Sequence, residues 1–144
     1  MPIAPSELIL TDKGSIYHLD LRPEQIATTI ITVGDPDRVE LVSRYFDRVD
    51  YRVQHREFVT HTGMLGSKRI SVLSTGIGTD NIDIVLNELD ALVNVDFEKR
   101  EIKKEKISLD IIRIGTSGTI RSEIEIDQII LSKGAIGLDG LMHF

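Results

Sequence analysis

Apolar and polar positions follow two rhythms along this chain, and the switches between them mark its elements. Thr28-Thr29-Ile30-Ile31-Thr32-Val33 is β-branched throughout, as in a buried strand of a parallel or mixed sheet. Gly34 ends it. Asp35 suits an N-cap, Pro36 the first helical position, and Val39, Leu41, Val42, Tyr45 and Phe46 then recur as on a helix. Residues 48 to 54 alternate through Val49, Tyr51 and Val53 and predict a strand. Residues 57 to 62 and 69 to 74 predict two more, joined as a hairpin by a turn within 63 to 68. Beyond Ser74, Ile82, Val85, Leu86, Leu89, Leu92 and Val93 share one helical face, with Thr79 or Asp80 available as cap. Residues 109 to 114 predict a further strand and 125 to 132 a short one. From 134 to 144 an element begins.

Strands, turns and helices in this order predict an α/β fold, a three-layer mixed sheet with flanking helices. The 144 residues suffice for one domain. Two stretches stand apart. Residues 1–27, with Pro2, Pro5, Gly14 and Pro23, show no strong periodicity and predict an irregular arm that other surfaces must hold. Residues 96–107 carry charges of both signs and predict a solvated excursion, in which Ile102 and Ile107 could form a short extra strand.

Composition narrows the chemistry. A net charge of −6 argues against a general nucleic-acid surface, so any nucleic-acid link points to a small metabolite. Without cysteine there is no disulfide or thiolate chemistry, and His18, His55, His61 and His143 lie too far apart to suggest a zinc site. Residues 1 to 10 lack the basic and hydrophobic regions of a signal peptide, and no run approaches a membrane helix, so a soluble cytoplasmic protein is expected.

Three strand-to-turn junctions carry the candidate chemistry. At Gly34-Asp35-Pro36-Asp37-Arg38, strand, glycine and helix start form an anion-binding arrangement. Arg38 opposes the helix dipole there, so it is either compensated by Asp35, Asp37 or Glu40 or aimed at an anion. In Thr75-Gly76-Ile77-Gly78 the glycines let backbone approach a ligand. The third glycine and distal acid of a dinucleotide fingerprint are missing, which rejects a Rossmann dehydrogenase. Arg113 ends an apolar strand before Gly115-Thr116-Ser117-Gly118, and its burial would require either an internal carboxylate or a bound anion. His18 and the cluster His55-Arg56-Glu57 admit both a surface role and a functional one.

Gly34-Asp35-Pro36-Asp37-Arg38, His55-Arg56-Glu57-Phe58, Ser74-Thr75-Gly76-Ile77-Gly78 and Arg113-Ile114-Gly115-Thr116-Ser117-Gly118, together with Tyr17-His18-Leu19, resemble the nucleoside phosphorylase family, its uridine-cleaving members most. The resemblance implies phosphorolysis, with transfer of ribose to inorganic phosphate as co-substrate and no other cofactor or metal. It implies Arg38 and Arg113 as catalytic and Gly34, Arg38, Arg56, Arg113 and Thr116 as phosphate-binding, Arg56 serving a neighbouring subunit. His18, reaching a neighbour's ribose 5′-hydroxyl, would bind nucleoside along with Thr116, Ser117 and Gly118. A monovalent cation would sit near Glu57, Ile77 and Asn81 at a dimer interface, with a hexamer as the full assembly.

Two departures are visible. Gly78-Thr79-Asp80-Asn81 replaces the family's usual Gly-Gly-Pro-Ser, and 96–107 is an insertion. The family's domain is longer, so the chain corresponds to its N-terminal half and is expected to be inactive alone. The alternatives are a nucleosidase of the same superfamily, using water, and a catalytically silent fragment that binds phosphate or nucleoside.

Overall fold

The computed structural model describes residues 2–138 and 140. Its sheet forms around β1 (Thr29–Val33), which pairs in parallel with β4 (Lys68–Ser74) on one side and β7 (Asp110–Arg113) on the other. Antiparallel β3 (Phe58–Leu65) and β2 (Arg48–His55) extend the β4 side, giving the order β2-β3-β4-β1-β7. A strand with parallel partners on both edges and cover on both faces is closed to water, which is why β1 reads as an unbroken β-branched run. Ile30 and Leu73 face one side of the sheet, and Val33 and Val72 the other.

Each face has its own cover. On the Val33 side α1 (Asp37–Ser43) inserts Val39, with Val42 and Phe46 beside it. On the Ile30 side α2 (Thr79–Asn94) contributes Val85, Leu89 and Leu92, and the N-terminal arm adds Leu8, Ile16, Leu19, Leu21 and Ile26. These are the expected three layers.

Several expectations need correction. α1 ends at Ser43, after which tighter bonds from Tyr45 to Val42 and from Phe46 to Ser43 turn the chain and leave Tyr45 exposed, while Leu41, inside the helix, lies off the face that carries Val39 and is exposed too. At α2 the N-cap is Gly78 without a side-chain cap, and Leu86 falls off the buried stripe. The β3–β4 turn is Gly66-Ser67, and Gly63 lies inside β3. There Val49 pairs with Gly63 and Tyr51 with Thr62, leaving Asp50 as the extra residue of a bulge. A Cβ on Gly63 would lie 2.1 Å from the Arg48 carbonyl oxygen, so only glycine fits.

The arm is irregular apart from a bridge between Leu10 and Ile16 and a 3₁₀ turn over Pro23–Gln25, yet much of the core comes from it. Its backbone is paired by distant charged side chains. Arg69 donates to the carbonyls of Ile26 and Glu24, each at 2.6 Å, and Arg100 donates to Ile3 at 2.9 Å and to Leu8. Arg100 belongs to the charged excursion, which is therefore only partly a solvated loop. β5 (Val95–Asp96) and β6 (Glu101–Ile102) make a short antiparallel pair, whereas Ile107 lies outside it, held at both backbone groups by the Asn94 side chain.

From Gly115 the chain forms a separate compact unit. Its described residues contain neither helix nor strand, so the strand expected over 125–132 is absent. Without a ladder partner in this unit, β-branched composition alone cannot make one. Residues 139 and 141 to 144, and with them part of the last expected element and His143, lie outside the described residues.

One polar cluster, buried at Ser43 and His61 and open to solvent at Arg52 and Glu40, ties α1 to the sheet. Ser43 Oγ and His61 Nδ1 share a 2.8 Å hydrogen bond, Arg52 Nη1 lies 3.3 Å from His61 Nδ1, and Arg52 donates to Glu40 at 2.6 Å. Burial first, then the Arg52 charge, holds the His61 pKa below its ordinary value, against an opposing pull from Glu40. The Arg52 hydrogen bond holds the Glu40 carboxyl below the usual range. In the unfolded chain histidine titrates near about 6.5. Below that pH the unfolded state takes up a proton that the folded state resists, so stability falls as pH drops through about 6.5 toward the lower folded value. Denaturant midpoints should drop from neutral to mildly acidic pH, and His61→Asn should reduce the drop. Gly63→Ala should cost at least about 2 kcal/mol in the same assay, by overpacking against backbone.

Candidate functional site

Two backbone bonds set the junctions side by side. The Val33 carbonyl accepts from the Thr75 amide at 2.8 Å, and the Thr32 carbonyl from the Ile114 amide at 2.9 Å. The turns after β1 and β4 thereby meet beside the end of β7, at the carboxyl edge where the strand order reverses about β1. In open α/β sheets this is where ligand crevices form. A cleft of about 660 Å³ opens there, and Gly34, Arg38, Glu57, Gly76, Ile77 and Asn81 are among the residues lining it.

Arg38 lines this cleft, and Arg113 lies near Gly34, which also lines it. Arg38 lies in the first turn of α1, half-buried, and among the described residues no carboxylate pairs with it. Glu40 is engaged by Arg52. Asp35 accepts the Asp37 amide at 3.0 Å, but the N-cap of α1 is Pro36, without a side-chain cap, so the expected Asp35 cap with Pro36 as first helical residue is shifted by one position. Among the described residues Arg38 thus has no internal carboxylate to compensate it. Arg113 ends β7, and its Nη2 would lie 3.8 Å from a Cβ placed on Gly34. It is exposed, contrary to the expectation of burial, because β7 is the outermost strand of the sheet. Among the described residues Arg113 also has no carboxylate partner. α1 has only seven residues, so the positive field here comes from the arginines rather than from a helix dipole.

The opposite wall is built on Gly76. Its φ of +66° and the 2.5 Å separation between a Cβ there and Asn81 Nδ2 leave no room for a side chain. Asn81 donates to Glu57 at 3.1 Å, and Ser74 Oγ donates to the Glu57 carbonyl at 2.7 Å, fastening the β2–β3 turn to this edge. Glu57, Ile77 and Asn81, the residues expected beside a monovalent cation, are thus brought together. Among the described residues no group of three or more histidine or acidic side chains could hold a metal ion, and no helix is long and apolar enough to cross a membrane.

Arg56 and His18 lie in a different cluster. Arg56 takes the first position of the two-residue β2–β3 turn with φ +55°, where glycine is usual, and its guanidinium stands 5.6 Å from the Tyr17 ring centroid. His18 is bound to Glu88, and His55 Nδ1 donates to the His18 carbonyl at 2.9 Å. Neither His18 nor Arg56 lines the cleft. Thr116, Ser117 and Gly118 belong to the unit from Gly115, where each is exposed and outside regular structure. The sequence reading missed Glu88, since its partner lies some 70 positions away and it looks like any acid on the polar face of α2.

The likeness to known proteins covers both sequence and structure. The chain is 35% identical over 130 residues to a uridine phosphorylase of Thermococcus kodakarensis, covering 90% of this chain and 42% of that protein. It is 33% identical over 120 residues to a DeoD-type purine nucleoside phosphorylase of Clostridium novyi, covering 82% of this chain and 46% of that one. The crystal structure of a Trypanosoma brucei nucleoside phosphorylase, described as showing uridine phosphorylase activity, superposes with a TM-score of 0.75 at 35% identity, covering 82% of this chain and 41% of that one. The chain thus spans less than half the length of each of these proteins. The family model for the phosphorylase superfamily matches residues 28–142, a span that takes in all three junctions, and the chain belongs to that superfamily.

Proposed function

We propose that this chain supplies the phosphate side of a nucleoside phosphorylase, a pentosyltransferase that moves ribose from a nucleoside to inorganic phosphate. The observation that carries this reading is that Arg38 lines the cleft together with Gly34 and that Arg113 lies close to the same Gly34, both without a carboxylate partner among the described residues. Guanidinium forks match phosphate oxygens, and a dianion held there would be both nucleophile and electrostatic partner for a sugar that becomes cationic. A phosphate oxygen attacks C1′, the bond from C1′ to the base nitrogen breaks, and the base leaves with that electron pair. Ribose 1-phosphate and free base result. Water as nucleophile, as in a nucleosidase, would give two free guanidinium groups nothing to hold.

Uridine is the substrate we favour, by likeness to the Thermococcus uridine phosphorylase and the Trypanosoma nucleoside phosphorylase. Thr116, Ser117 and Gly118 would meet the nucleoside, and a monovalent cation would sit by Glu57, Ile77 and Asn81. Arg56 and His18, set away from the chain's own cleft, would serve a neighbour's phosphate and ribose, so the active unit is a dimer, with a hexamer as the larger assembly. A cytoplasmic location belongs to the same reading.

Calorimetric titration with inorganic phosphate tests the central observation. Arg38→Ala and Arg113→Ala should each weaken binding about tenfold or more, as expected for loss of a charged hydrogen bond of about 1.5–3 kcal/mol. Neither should shift the denaturant midpoint appreciably, because among the described residues neither arginine makes an ion pair. Undiminished phosphate affinity in both variants would remove the basis of the proposal. Because the chain spans less than half the length of its relatives, the chain by itself should bind phosphate without turning over uridine, and sustained uracil release would contradict that.

A further inference from the structure

We propose that Glu88 is a positioning residue, which fixes His18 as the Nδ1–H tautomer so that Nε2 stands as a hydrogen-bond acceptor for a nucleoside hydroxyl. Glu88 sits on α2 with its side chain only 12% exposed, facing the turn that carries His18. Its Oε1 accepts from the His18 amide at 3.0 Å and lies 2.7 Å from His18 Nδ1, while Oε2 accepts from the Leu19 amide at 2.9 Å. Both oxygens are thus already acceptors for backbone N–H groups. An ionised carboxylate has no proton to give, so the ring must donate from Nδ1.

Neutral imidazole carries one ring proton. With it on Nδ1, Nε2 keeps its lone pair, and among the described residues nothing bonds to Nε2. The side chain remains 27% exposed. Its direction is set from several sides: the His18 carbonyl accepts from His55 Nδ1 at 2.9 Å, Tyr17 packs edge-on at 4.9 Å between centroids, and the next residue, Leu19, is fully buried. A free histidine side chain in water favours the opposite tautomer, with the proton on Nε2, which would donate rather than accept. Glu88 therefore changes what His18 offers to a ligand. A sugar hydroxyl could give its proton to Nε2, and a substrate with no hydroxyl at that place would lose the bond.

The use of this acceptor rests on the phosphorolysis reading, but the tautomer does not, so the two can fail separately. Long-range nitrogen–proton correlation spectra of the full chain in mildly alkaline buffer read the state of each imidazole. The His18 signals are assigned by their loss in His18→Asn. The expected result is the Nδ1–H form in the wild-type chain and a shift to mainly Nε2–H in Glu88→Ala. A wild-type His18 in the Nε2–H form, or doubly protonated, would overturn the proposal, as would a folded Glu88→Ala with the tautomer unchanged. Should Glu88→Ala not fold, having lost two backbone acceptor contacts, the wild-type spectrum decides alone. Addition of uridine with phosphate then tests the use: an Nδ1–H ring whose Nε2 signal does not move overturns the nucleoside contact and leaves the tautomer standing.

Discussion

Parallel pairing of β1 with both β4 and β7 is the constraint on which the rest of the structure depends. Parallel neighbours cannot be joined by a tight turn, so the chain must leave the sheet and return each time it adds one. Between β1 and β4 it does so through α1 and the antiparallel pair β2 and β3, and between β4 and β7 through α2 and the charged excursion. The three carboxyl ends therefore emerge on one edge. β3 runs opposite to β4, which brings the Arg56-Glu57 turn to that same edge, where Ser74 bonds to it. Motifs spread over some eighty positions are gathered by topology alone.

A second demand is that buried backbone groups find partners, and the N-terminal arm cannot meet it with a ladder. Arg69, Arg100 and Glu88 meet it instead, each reaching backbone groups of the arm from a distant element. Charge in this chain thus divides by duty. Arg52 and Glu40 close a cluster over His61, and Arg69 and Arg100 hold carbonyls, whereas Arg38 and Arg113 do neither among the described residues. What separates a structural arginine from a candidate binding one here is the absence of an internal partner, not burial.

The same division explains what could be read from sequence. The rhythm of β1 to β4 and α2 is legible because a half-buried strand and an amphipathic helix each impose a period, and the glycine turns are legible because they interrupt it. The bulge at Asp50 is not, and so Gly63 resembles a turn residue when it is a strand position pressed against the Arg48 carbonyl. Exposure of Tyr45 follows from a helix that ends at Ser43, for which the sequence has no clear stop, whereas Leu41 lies within that helix but off its buried face. Arg100 and Glu88 look like solvated charges because their partners lie 97 and 70 positions away. Arg113 stands out in the sequence as a charge ending an apolar strand, yet it is not a buried charge in need of compensation but an exposed one at the end of an edge strand.

The glycines sharpen the distinction between fold and site. Gly63 and Gly76 are required by the fold, since a Cβ at either would fall within 2.5 Å of another atom. Gly34 is different. A Cβ there would meet the Gly76 carbonyl at 3.7 Å and Arg113 Nη2 at 3.8 Å, both ordinary contacts, and its φ is not positive. The sheet would accept alanine at this position. What alanine would take is space at the edge of the cleft, close to Arg113 Nη2. Neither backbone angle nor close contact demands glycine where β1 ends, which sets Gly34 apart from the glycines that shape the fold.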